Sequence, residues 1–240
     1  MNIEKVYLIN LKRRPHKRWM WFGAMRLMDT PPELIKFFDA KDGKFYTRES
    51  LVAEAIENGF DFYRQFLDYN SQPLGDIAIR YSLDTIMQEI IDTYECAAVF
   101  MDEYPLRVPY YLLEDIVLYL YEEDVHFSGL VLAHRMESTR SGQRKAKPIH
   151  IGSQIYSGIY GTEGDHAFVV TKQGARRLLE SRRDVPLSYC FTLIEVGSQG
   201  SSGFYTTIPP YVTSINSKEL EIFGINFPSC DRDHINSMEI

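Results

Sequence analysis

The sequence predicts an α/β fold of three layers around a largely parallel sheet. Short apolar runs at Val6–Ile9, Ala97–Met101 and Ala167–Val170 have the length and composition of strands buried on both faces. Longer stretches between them carry apolar residues at helical spacing, most clearly Ile77, Tyr81, Leu83, Ile86, Ile90 and Ile91. The two kinds of segment alternate along the chain, as repeated strand–helix units require.

In order, Lys5–Asn10 reads as a first strand, followed by the basic turn Lys12-Arg13-Arg14-Pro15-His16-Lys17-Arg18. Pro15 suits the first turn of a helix that ends near Met28, before Pro31-Pro32. Leu34–Phe38 reads as a second strand running into the turn-rich loop 39–44. Glu49–Asn58 reads as a helix stopped by Gly59, and Gly75–Thr93 as a long amphipathic helix leading into the central strand at Ala97. Pro109–Tyr121 is a further helix with Leu112, Leu113, Ile116, Val117 and Leu120 inward. Val125–Ala133 and Ala167–Val170 are strand candidates and Lys172–Arg182 a helix. Phe204–Val212 is a late strand whose Pro209-Pro210 predicts an edge position. Arg135–Lys147 reads as a polar loop. Residues 1–225 are expected to form one domain, with 226–240 as a tail.

The chain has 26 Lys and Arg against 33 Asp and Glu, a formal charge of −7, which argues against nucleic-acid binding through a general basic surface. Cys96, Cys190 and Cys230 are odd in number and widely spaced, without zinc-ligand spacing to histidine. They read as reduced thiols in a cytoplasmic protein, with Cys96 in the core. No stretch approaches the roughly 20 apolar residues of a transmembrane helix, and Val6–Ile9 is too short for a signal sequence. GxGxxG, GxxxxGK[ST] and GxSxG are all absent.

Two features remain that carry chemistry. Arg13, Arg14, Lys17 and Arg18 cluster where a strand gives way to a helix, a position suited to a phosphate group. Asp102 and Glu103 follow the central apolar run, so they lie where a strand leaves the sheet. Ligands of open α/β sheets bind at such carboxyl ends, and paired carboxylates there suit Mg²⁺ or Mn²⁺. Each feature also has a plain reading, a solvated helix start and a solvated strand end before the turn at Pro105.

Five segments in order resemble glycosyltransferase family 25, the lipooligosaccharide and procollagen galactosyltransferases. Val6–Arg18 is similar to the family's "INLxRRPxR" opening, and Phe38–Lys44 to its "A-x-DG-K" loop. Leu74–Leu83 resembles "GE-x-GC-x-x-SH", Val99–Glu103 falls at its "EDD", and Ala167–Leu179 resembles "AY-x-I-x-x-x-GA-x-x-L". The resemblance implies a GT-A-like three-layer α/β/α domain with a mostly parallel, Rossmann-like sheet. It implies a nucleotide-sugar donor, typically UDP-linked, a glycan or other hydroxyl acceptor, and Mn²⁺ or Mg²⁺. Carried onto this chain, the donor residues are Asn10, Leu11, Arg13, Arg14, Arg18, Asp42, Gly43, Ser82 and Asp102, and the metal ligands Asp102 and Glu103. Asp165 and Glu195 are the candidate bases for an inverting transfer, and His166 could assist. The chain departs from the family pattern at Met101, Leu83, Arg80 and Ser188. Those departures motivate a second expectation, a protein of the same fold that binds a nucleotide sugar, glycan or protein partner without turnover. A phosphohydrolase or nucleotidyltransferase lacks support, because no second acidic motif follows a strand.

Overall fold

The computed structural model describes residues 1–68, 72–132, 155–157, 166–181, 203–207 and 212. Its first half contains β1 (Lys5–Leu11), α1 (Pro15–Leu27), β2 (Ile35–Ala40), α2 (Arg48–Glu57), the short α3 (Gln65–Asp68), α4 (Leu74–Thr93) and β3 (Cys96–Met101). There follow α5 (Tyr110–Glu123), β4 (Gly129–Val131), β5 (Ile155–Ser157), β6 (Ala167–Thr171), α6 (Lys172–Ser181) and β7 (Phe204–Thr207). The described strands form one sheet in the order β2-β1-β3-β6-β4-β7-β5. β1, β2, β3, β4 and β7 run one way; β5 and β6 run the other.

Strand alternation divides the core in two. Tyr7 and Ile9 of β1, Ala97 and Val99 of β3 and Phe168 and Val170 of β6 pack with Leu51, Val52, Ile77, Leu83 and Leu178 from α2, α4 and α6. The intervening residues Val6, Leu8, Ala98, Phe100 and Val169 face Trp21 and Met25 of α1 and Leu113 and Val117 of α5. Helices therefore cover both faces of the sheet. Cys96 is fully buried, and burial pushes its thiol up to about 12.

Local chemistry sets the helix ends. Pro15 opens α1, and Thr47 and Ser50 form a reciprocal capping box at α2. Gly59 takes the left-handed backbone (φ 90°) that ends α2. The Thr171 hydroxyl accepts the Gly174 amide at 3.1 Å at the start of α6.

The sheet is mostly parallel in strand direction, as expected; β6 is antiparallel to both neighbours, a direction that an unbroken apolar run cannot encode. Three expectations need correction. β7 lies between β4 and β5 rather than at an edge, and Pro209-Pro210 fall outside the described residues. β4 covers only Gly129–Val131, because Val125 is exposed and Asp124 starts a turn by accepting the His126 amide. On α5 Tyr110 joins Leu113, Ile116, Val117 and Leu120 on the inward face, while Leu112 is on the exposed side. The 135–147 loop and the 226–240 tail lie outside the described residues.

The Gly-Ala pair of the α6 segment has a packing cause. A Cβ on Gly174 would lie 1.9 Å from the Ser128 carbonyl oxygen, so α6 approaches the chain before β4 through a glycine. Gly174→Ala is expected to cost about 1–3 kcal/mol through this overpacking, read as a lowered denaturant midpoint. Unchanged stability would show that α6 can shift away from Ser128.

Candidate functional site

β1 and β3 are parallel neighbours, with Ile9 opposite Met101. The chain passes from β1 to β2 on one side of β1 and returns to β3 on the other. The strand order thus reverses between β1 and β3, and ligands of open α/β sheets bind in the crevice beyond the strand ends at such a point. This is where the basic turn and the acidic pair meet.

Asn10 joins the two strand ends. It is 1% exposed, and its side-chain amide donates to Asp102 Oδ2 at 2.6 Å and to the Arg14 carbonyl at 3.1 Å. The Asp102 amide continues the ladder by donating to the Ile9 carbonyl at 3.1 Å. Asn10 Oδ1 is buried and finds no hydrogen-bond partner among the described residues. Burial pushes the Asp102 carboxyl above its ordinary range; Lys17, the Asn10 bond and Arg14 oppose this, while Glu103 adds to it.

Glu103 turns toward α1. Lys17 donates to its Oε1, and Arg14 Nη1 stands 3.8 Å from the same oxygen. Lys17 belongs to the basic cluster that suits a phosphate but not to the donor residues carried over from the family resemblance. It is 6% exposed. The signal lay in spacing: Arg14, Lys17, Trp21 and Met25 recur every three or four residues and form the buried stripe of α1.

The loop after β2 closes the other side. Arg13 Nε donates to Asp42 Oδ2 at 2.5 Å. Arg18 donates to Asp39, and its guanidinium lies 5.0 Å from the Phe37 ring. Asp42 also caps the following turn by accepting the Lys44 amide at 3.1 Å, and Gly43 sits close against Leu74-Gly75 at the start of α4. Ser82 is fully buried; its hydroxyl accepts the Lys41 amide at 2.8 Å and donates to the Ala78 carbonyl at 2.9 Å. Ser82 therefore acts at one remove, by holding this loop. Leu11 ends β1 and packs partly buried on the α2–α4 side.

His166 stacks on Tyr104 with ring centroids 4.4 Å apart, which ties the turn after Glu103 to the start of β6. Asp165, Glu195 and Ser188 lie outside the described residues. The nine donor residues and Glu103 all fall within the β1, β2, α4 and β3 region.

The cluster is balanced in charge: Arg13, Arg14, Lys17 and Arg18 face Asp39, Asp42, Asp102 and Glu103. No group of three metal-ligating side chains occurs among the described residues. Two adjacent carboxylates are hard oxygen donors, however, and Mg²⁺ is commonly held by one or two carboxylates together with substrate phosphates. The donor set fits an ion shared with a phosphate ligand, not a closed protein cage.

No protein-family model matches the chain, and comparison with curated proteins found no match. Among the described residues, no helix is long and apolar enough to cross a membrane.

Proposed function

We propose that this chain is a GT-A-fold glycosyltransferase that moves a hexose from a nucleotide-sugar donor, UDP-linked, to a hydroxyl acceptor. The observation that carries the reading is the joining of the β1 and β3 carboxyl ends through Asn10 and Asp102, at the reversal of strand order, with four cations on the adjoining turn and helix. The family resemblance, four of whose five segments lie in β1, α1, the β2 loop, α4 and the end of β3, adds to it.

The leaving group in such a transfer is a nucleoside diphosphate, and negative charge grows on it as the glycosidic bond breaks. Arg14 and Lys17 now hold Glu103; turned to phosphate oxygens, they would make charge-assisted hydrogen bonds there. Asn10 keeps Asp102 at the strand end, and Arg13–Asp42 and Arg18–Asp39 fasten the β2 loop over the crevice. Asp102 and Glu103 would hold Mn²⁺ or Mg²⁺, which as a Lewis acid would offset the charge on the diphosphate. Charge balance gives this a thermodynamic form. A divalent cation offsets most of the charge of UDP and all of that of a UDP-sugar diphosphate, so metal and nucleotide together perturb a neutral cluster less than either one alone.

Thermal unfolding with UDP alone, Mn²⁺ alone and both together tests this. Both together are expected to raise Tm by about 5–10 °C, the shift for a ligand at roughly 100 times its Kd on a chain of this size. Either one alone is expected to give less than half that. No shift with UDP-, GDP- or other nucleotide ligands under any condition contradicts the donor site.

Met101 standing where the family places a carboxylate favours a second reading, a donor-binding protein without turnover. It predicts the same stabilisation with no release of UDP from any UDP-sugar.

A further inference from the structure

A second concavity lies on the α2–α4 side of the sheet, along β2. It encloses about 450 Å³, within the roughly 300–1,000 Å³ typical of small-molecule sites. Phe38 and Tyr81 give it apolar surface, and Glu54, Asn58, Gln88 and Asp92 give it polar surface.

Its charge is opposite in tendency to that of an anion site. Asp39, Glu54, Glu89 and Asp92 line it; Arg18 pairs with Asp39, Lys41 of the lining donates to Glu54, Lys36 donates to Glu89, and Asp92 accepts from the Gln88 amide. The cation of the lining is already engaged by Glu54, so the cleft gives a phosphorylated or carboxylated ligand little to pair with. The amides of Asn58 and Gln88 donate and accept, and the carboxylates accept. Hydroxyl groups both donate and accept, so an uncharged polyol matches this set. A ring with apolar C–H faces also suits the aromatic surface.

The cleft is joined to the donor region through one short segment. Asp39 lines the cleft and pairs with Arg18; Lys41 lines it and is fixed by Ser82; Asp42 pairs with Arg13. Residues 39–42 therefore form the wall shared by an acidic, aromatic cleft and a cation-rich crevice.

We propose that the β2–α4 cleft binds an uncharged oligosaccharide and is the anchoring subsite for the acceptor. The inference rests on the donor reading for the word acceptor, but the binding itself does not need a donor. Anchoring a remote part of the acceptor supplies binding energy that holds the reacting hydroxyl near the crevice.

The test uses the full chain on a printed array of uncharged oligosaccharides, with an oligolysine peptide as the cationic probe and UDP with Mn²⁺ as a separate arm. Retention of uncharged glycans, confirmed by titration of the retained sugar, is expected. Gln88→Ala combined with Asp92→Ala is expected to weaken it at least tenfold while leaving the UDP arm unchanged. Both side chains are exposed, so the fold is not at stake. A silent array, glycan binding unaffected by the double variant, or capture of oligolysine in preference to glycans overturns the proposal. A silent array with UDP stabilisation intact defeats this inference alone; glycan binding without any nucleotide binding defeats the donor reading alone.

Discussion

Asp84→Ala is expected to lower Tm by about 6–20 °C. Asp84 is fully buried within α4 and accepts the Tyr63 hydroxyl at 2.7 Å. Arg80, one turn earlier and 2% exposed, brings Nε to 3.9 Å from the same Asp84 oxygen. The Arg80 guanidinium also lies 4.9 Å from the Phe66 ring. Removing the carboxylate takes from a buried guanidinium the counter-charge that Asp84 supplies and from a buried phenol the acceptor that it supplies. Breaking such a pair costs about 3–5 kcal/mol, and 1 kcal/mol is worth about 2–4 °C in a chain of this length. The double replacement Arg80→Met with Asp84→Leu removes both charges and is expected to recover most of the loss, because the desolvation cost disappears with the pair. Calorimetry of the two variants decides the matter. A shift under 3 °C for Asp84→Ala would mean that Arg80 is satisfied without Asp84.

Asp102→Asn is expected to separate stability from function. Burial raises the Asp102 carboxyl pKa in the folded chain, so the ionised form is disfavoured there. For an acid with a raised folded pKa, the favourable contribution is present below its ordinary value of about 4 and is lost as pH rises through the folded value. Near neutral pH the wild type therefore carries the cost of a buried charge. Asparagine removes that charge and can still accept from Asn10. The variant is expected to match or exceed the wild-type Tm at pH 7–8, with the difference closing toward about pH 4. Its turnover with a nucleotide sugar is expected to fall on the order of 100-fold or more, with loss of the joint UDP and Mn²⁺ stabilisation. A less stable variant at pH 8 would contradict the burial argument. Full activity would remove Asp102 from the site.

Much of the architecture is legible in the residues because burial selects them. Val6–Ile9 and Ala97–Phe100 are apolar on both faces since helices cover both, and the spacing of Ile77, Leu83, Ile86 and Ile90 matches the inward face of α4. What burial does not encode is strand direction and order. Ala167–Val170 would read the same parallel or antiparallel, and Pro209-Pro210 suggested an edge for a strand that pairs on both sides. The site was partly legible for a similar reason. Asn10, Arg13, Arg14, Asp42 and Asp102 stand at strand ends or in turns, where polar residues attract notice. Lys17 stands out only as one of four clustered cations, and Asp39 sits among other charges and looks like solvated surface. Only the fold shows that one is buried on Glu103 and the other holds Arg18. Arg80 and Asp84 carry their own signal, opposite charges four apart on an apolar face, which marks a paired network rather than an error in the helix pattern.

A nucleotide-sugar site built on the β1 and β3 ends shows itself in the release of free nucleoside diphosphate. The wild-type chain is incubated with UDP- and GDP-sugars and Mn²⁺, with Asp102→Asn as the matched control. Steady release from at least one UDP-sugar is expected from the wild type, slowed on the order of 100-fold or more in the variant. Release at equal rates from both proteins, or from neither with every donor and acceptor offered, would contradict that site.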